Sequence, residues 1–300
     1  RRGGRSAGRA AGGNPGGGGG VSSAPMGLLA DLLDSVRGQP PYVTTAAVAG
    51  RRFTAAGGTA APSGAAAAPV IAGLAYTARG ESDSRYNPRA ASAELESDAL
   101  GRPLFELAQG ALPEGNGGDQ PRREVGAAAL NALLGARLTG QPERGVALGA
   151  ENGLDLVLRL SQGKGLVMVG RFPYLDKGRL AASRYAVLEL DPQGDDLPAS
   201  AAPEVLPQAD VVGITGSTLA NGTLEGLLAL CRPEATVVLI GPTTPLSAVL
   251  FDYGADVLCG VLVDDPGAAL AVLADPGVKP TPRIPGTRIV SLMRSASSAG

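Results

Sequence analysis

The sequence predicts an α/β protein, in which a small α+β unit is followed by a doubly wound, Rossmann-like parallel sheet. Three observations carry this expectation. Continuous apolar, β-branched-rich runs recur at Gly165–Val169, Arg184–Leu190, Asp210–Ile214, Thr236–Ile240 and Asp256–Val263. Such runs suit strands buried on both faces of a parallel sheet. Helical stretches at 177–183, 199–206, 221–231, 246–253 and 266–274 separate them, which is the alternation of βαβ units. The chain has 300 residues, 44% of them hydrophobic, enough for a sizeable core and for about two domains.

Taken in order, residues 1–25 (RRGGRSAGRAAGGNPGGGGGVSSAP) have almost nothing to bury and are expected to be a disordered Gly/Arg-rich tail. The first Met is Met26, which we expect to be the natural start, with the tail as an upstream extension. An RG-type RNA-binding arm is the alternative. From Met26 to Val36, apolar residues at helical spacing predict a short amphipathic helix. Tyr42–Ala49 and Pro69–Thr77 read as strands of a small meander, with 55–68 as an Ala/Gly insertion between them. Glu94–Leu100 and Pro103–Gly110 read as helices. LPEGNGGD at 112–119 is the strongest break and the expected linker, followed by a long helix over Pro121–Leu138. A last strand is expected near Arg288–Leu292, with 293–300 as a disordered tail. The resulting domains are 26–112 and 119–292.

The sequence has no histidine, which excludes a Ser-His-Asp triad, an H-E-x-x-H zinc helix and a histidine general base. Cys231 and Cys259 lie 28 residues apart, a spacing that forms no zinc knuckle and no disulfide framework. No metal held by protein side chains is therefore expected, and any metal would arrive chelated by the ligand. Beyond the tail the chain carries 22 basic and 28 acidic residues, so its body is mildly acidic and nucleic acid is not an expected partner. Around Ala235–Phe251 the longest apolar stretch is broken at Pro242–Pro245, so no membrane span is expected. No signal peptide is read at the start, and the cytoplasm is the default location. A homo-oligomer is left open.

Ligands of open α/β sheets bind outside the carboxyl ends of the strands, at the point where strand order reverses. After the first parallel strand come Gly170 and Arg171; the glycine permits close backbone approach and the arginine could clamp an anion, or the pair is a turn with a surface Arg. Glu189 and Asp191 follow the second strand, where an acid accepts hydrogen bonds from ribose hydroxyls or is simply solvated. After the third, Thr215, Gly216, Ser217, Asn221 and Thr223 form the densest polar cluster, with anion cradling or helix capping as its two readings. Gly241, Pro242 and Thr243 follow the fourth strand, facing the same crevice or forming a stiff turn with Ser247 as N-cap. No G-x-G-x-x-G follows the first strand and no P-loop motif occurs, so ordinary dinucleotide and P-loop binding are disfavoured.

The run ADVVGITGSTLANGTLE at 209–225, VLIGPTTPLS at 238–247 and Leu250-Phe251 resembles the "putative heavy-metal chelation" family of bacteria and archaea. GRFP at 170–173, Leu206-Pro207, GLAYT at 73–77 and ALNAL at 129–133 support the resemblance, which covers about 26–275. It implies an enolase N-terminal-like domain followed by a Rossmann-like domain, with a site between them. It also implies a function: binding, and condensing or hydrolysing, a polar pterin-, flavin- or siderophore-like molecule or a metal chelate. A non-catalytic carrier or sensor of heavy-metal chelates is the alternative. Carried over, the resemblance adds Thr77 from the N-terminal unit to the loop residues above. Where members often carry His in a G-H-F-P turn, this chain has Arg171, which removes a soft-metal ligand.

Overall fold

The computed structural model describes residues 27–60, 69–78, 85–112, 120–140, 145–176, 180–275 and 283–295. The tail at 1–25, the second half of the 55–68 insertion and most of the 112–119 linker lie outside them. So do 177–179 of an expected helix and the last five residues.

Helix α1 (Leu28–Val36) turns Leu28, Leu32, Leu33 and Val36 inward, the i, i+4 stripe read from the sequence. Strands β1 (Tyr42–Ala49), β2 (Phe53–Ala60) and β3 (Val70–Tyr76) form an antiparallel meander in that order. This corrects the reading of 55–68 as an insertion: Ala55–Ala60 belong to the central strand of the small sheet. Its FTAAGGTA run lacks strand propensity because helices press on both faces and leave room only for small side chains. Ala56 joins the core on the side of α4 (Gln120–Gly140), whereas Ala55 packs with Leu270 and Leu273 of α10 (Pro266–Ala274). At Gly73 in β3 the helix backbone arrives directly. A Cβ there would lie 2.2 Å from the Ala132 nitrogen and 2.3 Å from the Ala128 carbonyl oxygen. Helices α2 (Pro88–Ala99) and α3 (Leu104–Gln109) complete this layer, which is the meander-plus-helices arrangement that the resemblance implies.

The second sheet has eight strands. Six are parallel: β5 (Gly165–Val169), β6 (Arg184–Glu189), β7 (Leu197–Pro198), β8 (Val211–Thr215), β9 (Thr236–Ile240) and β10 (Val257–Val263). In space they run β10-β9-β8-β5-β6-β7, so the order reverses between β5 and β8, as in doubly wound dinucleotide folds. Antiparallel β11 (Thr287–Arg294) and the short edge strand β4 (Val146–Gly149) extend the β10 side. β11 runs two residues past Leu292, the expected end of the last strand.

Alternating residues of the parallel strands enter two different cores, as burial on both faces requires. Val167, Val169, Val212, Ile214, Val237 and Leu239 pack with α1 and α4 on one side. Leu166, Met168, Val211, Val238 and Ile240 pack with α5 (Gly153–Leu160) on the other. Neither β4 nor α5 is read from the sequence. The helix expected over 177–183 is not formed at 180–183, which is irregular chain leading into β6. Among the described residues, no helix is long and apolar enough to cross a membrane.

Candidate functional site

The carboxyl ends of β5 and β8 meet at the reversal point. Gly170, at φ +94°, turns the chain out of β5, and its amide donates to the Leu188 carbonyl at 2.9 Å. A Cβ on Gly170 would lie 2.7 Å from Thr215 Cγ2, so the glycine permits both the turn and the approach.

Arg171 comes next, and its guanidinium is already engaged. Nε donates to the Asp196 carboxylate at 3.1 Å, Nη2 pairs with the same group, and the Asp191 carbonyl accepts at 3.5 Å. The hydrogen bond to Asp196 leads the causes that raise the Arg171 pKa. An anion held by Arg171 would compete with that carboxylate. Glu189, at the end of β6, accepts from the Arg171 amide through one oxygen and from the Leu190 amide at 3.1 Å through the other. Glu189 and Asp196 thus brace the turn after β5.

Thr215 and Ser217 lie on either side of Gly216, with their hydroxyls 3.1 Å apart, and both residues are partly exposed. Thr218 turns back, its hydroxyl donating to the Thr215 carbonyl at 2.7 Å. Gly216 donates to the Ile240 carbonyl at 2.9 Å and sits against the loop after β9. That loop is a tight turn: the Gly241 amide donates to the Cys259 carbonyl, and the Thr244 amide donates to the Gly241 carbonyl across Pro242 and Thr243.

Thr243 is buried and faces the small sheet. Its hydroxyl accepts from the Tyr76 amide at 2.8 Å, and its carbonyl accepts from Asn131 Nδ2 at 3.0 Å. Thr77 is also buried, its hydroxyl 2.9 Å from that of Thr54 and its amide bonded to the Arg52 carbonyl. The Thr243 hydroxyl is thus committed to the joint between the sheets, and that of Thr77 to a bond within the small sheet. Asn221 and Thr223 lie beyond α7 (Ser217–Ala220). There Asn221 Oδ1 accepts from the Thr223 amide at 3.1 Å and from its hydroxyl at 2.6 Å. Thr223 is the N-cap position of α8 (Leu224–Leu230), without a side-chain capping bond.

Four further residues at this joint were not singled out from the sequence. Asn131 on α4 also donates to the Leu74 carbonyl at 2.9 Å, tying the helix, β3 and the β9 loop together. Glu124 is buried at the start of α4 and accepts from the Ala78 amide at 2.9 Å, one residue past Thr77. Arg52, in the β1–β2 turn, reaches the Tyr174 hydroxyl at 3.1 Å. The lone amide in the ALNAL helix was the one available sequence signal.

The donor set does not suit a bare soft metal ion. The loops at the reversal point offer hydroxyl and carbonyl oxygens, hard donors, where soft metals select thiolate and imidazole. Burial pushes the Cys231 thiol up to about 11 and the Cys259 thiol up to about 12, so both stay protonated near neutrality. Among the described residues, no group of three or more His, Cys, Asp or Glu is placed to hold a metal.

Fold and loops together define a two-sheet α/β protein whose doubly wound half brings hydroxyls and glycines together at its reversal point. Residues 152–281 match the model of the DUF364 family, whose description is "Putative heavy-metal chelation". A crystal structure of a DUF364 protein of unknown function from Desulfitobacterium hafniense superposes with a TM-score of 0.66 at 25% identity, covering 89% of this chain and 98% of that one. A second, from Pyrococcus horikoshii, shares the fold at 16% identity with a TM-score of 0.65, over 88% and 97% of the two chains. No protein with a curated description matches the chain.

Proposed function

We propose that this protein binds a polar small molecule in the crevice between its two sheets, at the reversal point between β5 and β8. One observation carries the reading. The Thr215 and Ser217 hydroxyls lie together, partly exposed, where strand order reverses, beside Gly170 and Gly216, which let the neighbouring loops close up around them. Paired hydroxyls, each able to donate and to accept, suit the alternating donors and acceptors of a pterin-, flavin- or siderophore-like ligand. A metal would enter as that ligand's cargo, which accords both with the family description and with the hard donor set. Condensation or hydrolysis is one use of such a site and non-catalytic carriage or sensing of a chelate is the other. Carriage is favoured by Glu189, whose two oxygens already accept backbone amides and which therefore makes a poor general base.

The test is thermal shift combined with product analysis, in a panel of lumazine, riboflavin and ferric catecholate. Stabilisation without turnover supports the carrier, and stabilisation with product supports the enzyme. Thr215→Ala with Ser217→Ala should abolish the shift. Full shifts retained in that double variant would put the site elsewhere.

A further inference from the structure

The contacts around the proposed binding site close into a circuit. Arg52 passes to Thr77 through its carbonyl, and the adjacent Tyr76 amide passes to Thr243. The turn holding Thr243 lies against Gly216, and the neighbouring Thr215 lies against Gly170. From Gly170 the chain runs to Tyr174, whose hydroxyl returns to Arg52 at 3.1 Å.

The sides of this circuit differ in strength. Those through Thr243, Gly216 and Thr215 are made by buried or partly buried groups in strand ends and tight turns. Among the described residues, the side between Arg52 and Tyr174 is closed by a side-chain hydrogen bond at the surface, with Tyr174 53% exposed. Tyr174 rides on a compact turn, in which the Leu175 amide donates to the Phe172 carbonyl at 3.0 Å, and that turn hangs from Gly170 at φ +94°.

We infer that the Arg52–Tyr174 contact is a latch, the side of the circuit that opens to admit the ligand to the crevice. The inference rests on the binding site proposed above, but its first readout needs no ligand, so the two can fail separately. The full chain is compared with Tyr174→Phe and Arg52→Ala by amide hydrogen exchange. Loss of one exposed hydrogen bond should raise exchange at 172–176 and at Thr77 roughly three- to tenfold, with β8 and β9 unchanged. Unchanged exchange at 172–176 in both variants overturns the latch, and so does an equal rise throughout the molecule. In stopped-flow mixing with lumazine, association should be faster with Tyr174→Phe than with wild type. An equal association rate overturns the entry role.

Discussion

Gly216 is the point where the loops after β8 and β9 touch, and replacing it with alanine tests the construction of the candidate site. Its φ of −59° is open to any residue, so the glycine is needed for space rather than for backbone freedom. An added Cβ would lie 2.4 Å from the Thr244 nitrogen, 2.7 Å from the Thr243 carbonyl carbon and 2.8 Å from the Thr244 Cα. The closest of these is about 1 Å inside ordinary contact, and all three are backbone atoms that no rotamer change can move. Thr243 is further held by Tyr76 and Asn131, so the strain reaches the small sheet. Overpacking of this kind costs about 1–3 kcal/mol, or roughly 1.5–5 °C in Tm for a chain of this size. Gly226→Ala is the matched control. This exposed glycine in α8 has nothing within 4 Å of an added Cβ, and the helix should gain about 0.5–1 kcal/mol. Thermal unfolding followed by circular dichroism reads both. The loop-contact argument is refuted if Gly216→Ala melts within about 1 °C of wild type, or if Gly226→Ala falls as far.

Two further outcomes follow from titratable groups. The Tyr253 hydroxyl donates to Asp31 at 2.6 Å, and that bond, followed by burial, pushes its pKa up to about 12. A raised folded pKa stabilises fully below the unfolded value near 10 and is lost as pH rises through about 12. The stability difference between wild type and Tyr253→Phe, from urea titrations, should therefore hold steady to about pH 10 and shrink above it; a difference flat through pH 12 would contradict the bond. The second concerns the thiols, with Cys231 at about 11 and Cys259 at about 12. Neither should react with a disulfide reagent at pH 8 in the native protein, both should react in denaturant, and a rapid native equivalent would refute their burial.

The parallel sheet was legible because GLVMV, TVVLI and DVLCGVLV are continuous β-branched runs, a pattern that few other environments tolerate. β2 was not, since packing between α4 and α10 selects Ala and Gly and so erases the strand signal. The edge strand β4 is four residues with little burial, too short for any periodicity. Within the site, Gly170, Thr215 and Gly216 could be found because strand ends locate them. Thr243 was found by position and Thr77 through the resemblance, but the hydroxyl of the first is spent on Tyr76 across the joint and that of the second on Thr54, a fact only tertiary contact reveals. Arg52, Glu124, Asn131 and Tyr174 are ordinary residue types far apart in the chain, and only folding brings them together.

The cover that α10 lays over the small sheet has a consequence for how the chain is made. Ala55 and Leu74, synthesised early, bury themselves against Ala269, Leu270 and Leu273, about two hundred positions later. On the ribosome the meander emerges with that face bare, and closing so long a loop delays its completion until α10 is released. The small sheet is thus translated before the eight-stranded one and finished only after α10 has emerged, and a chain that stops before residue 266 would leave it uncovered on one side.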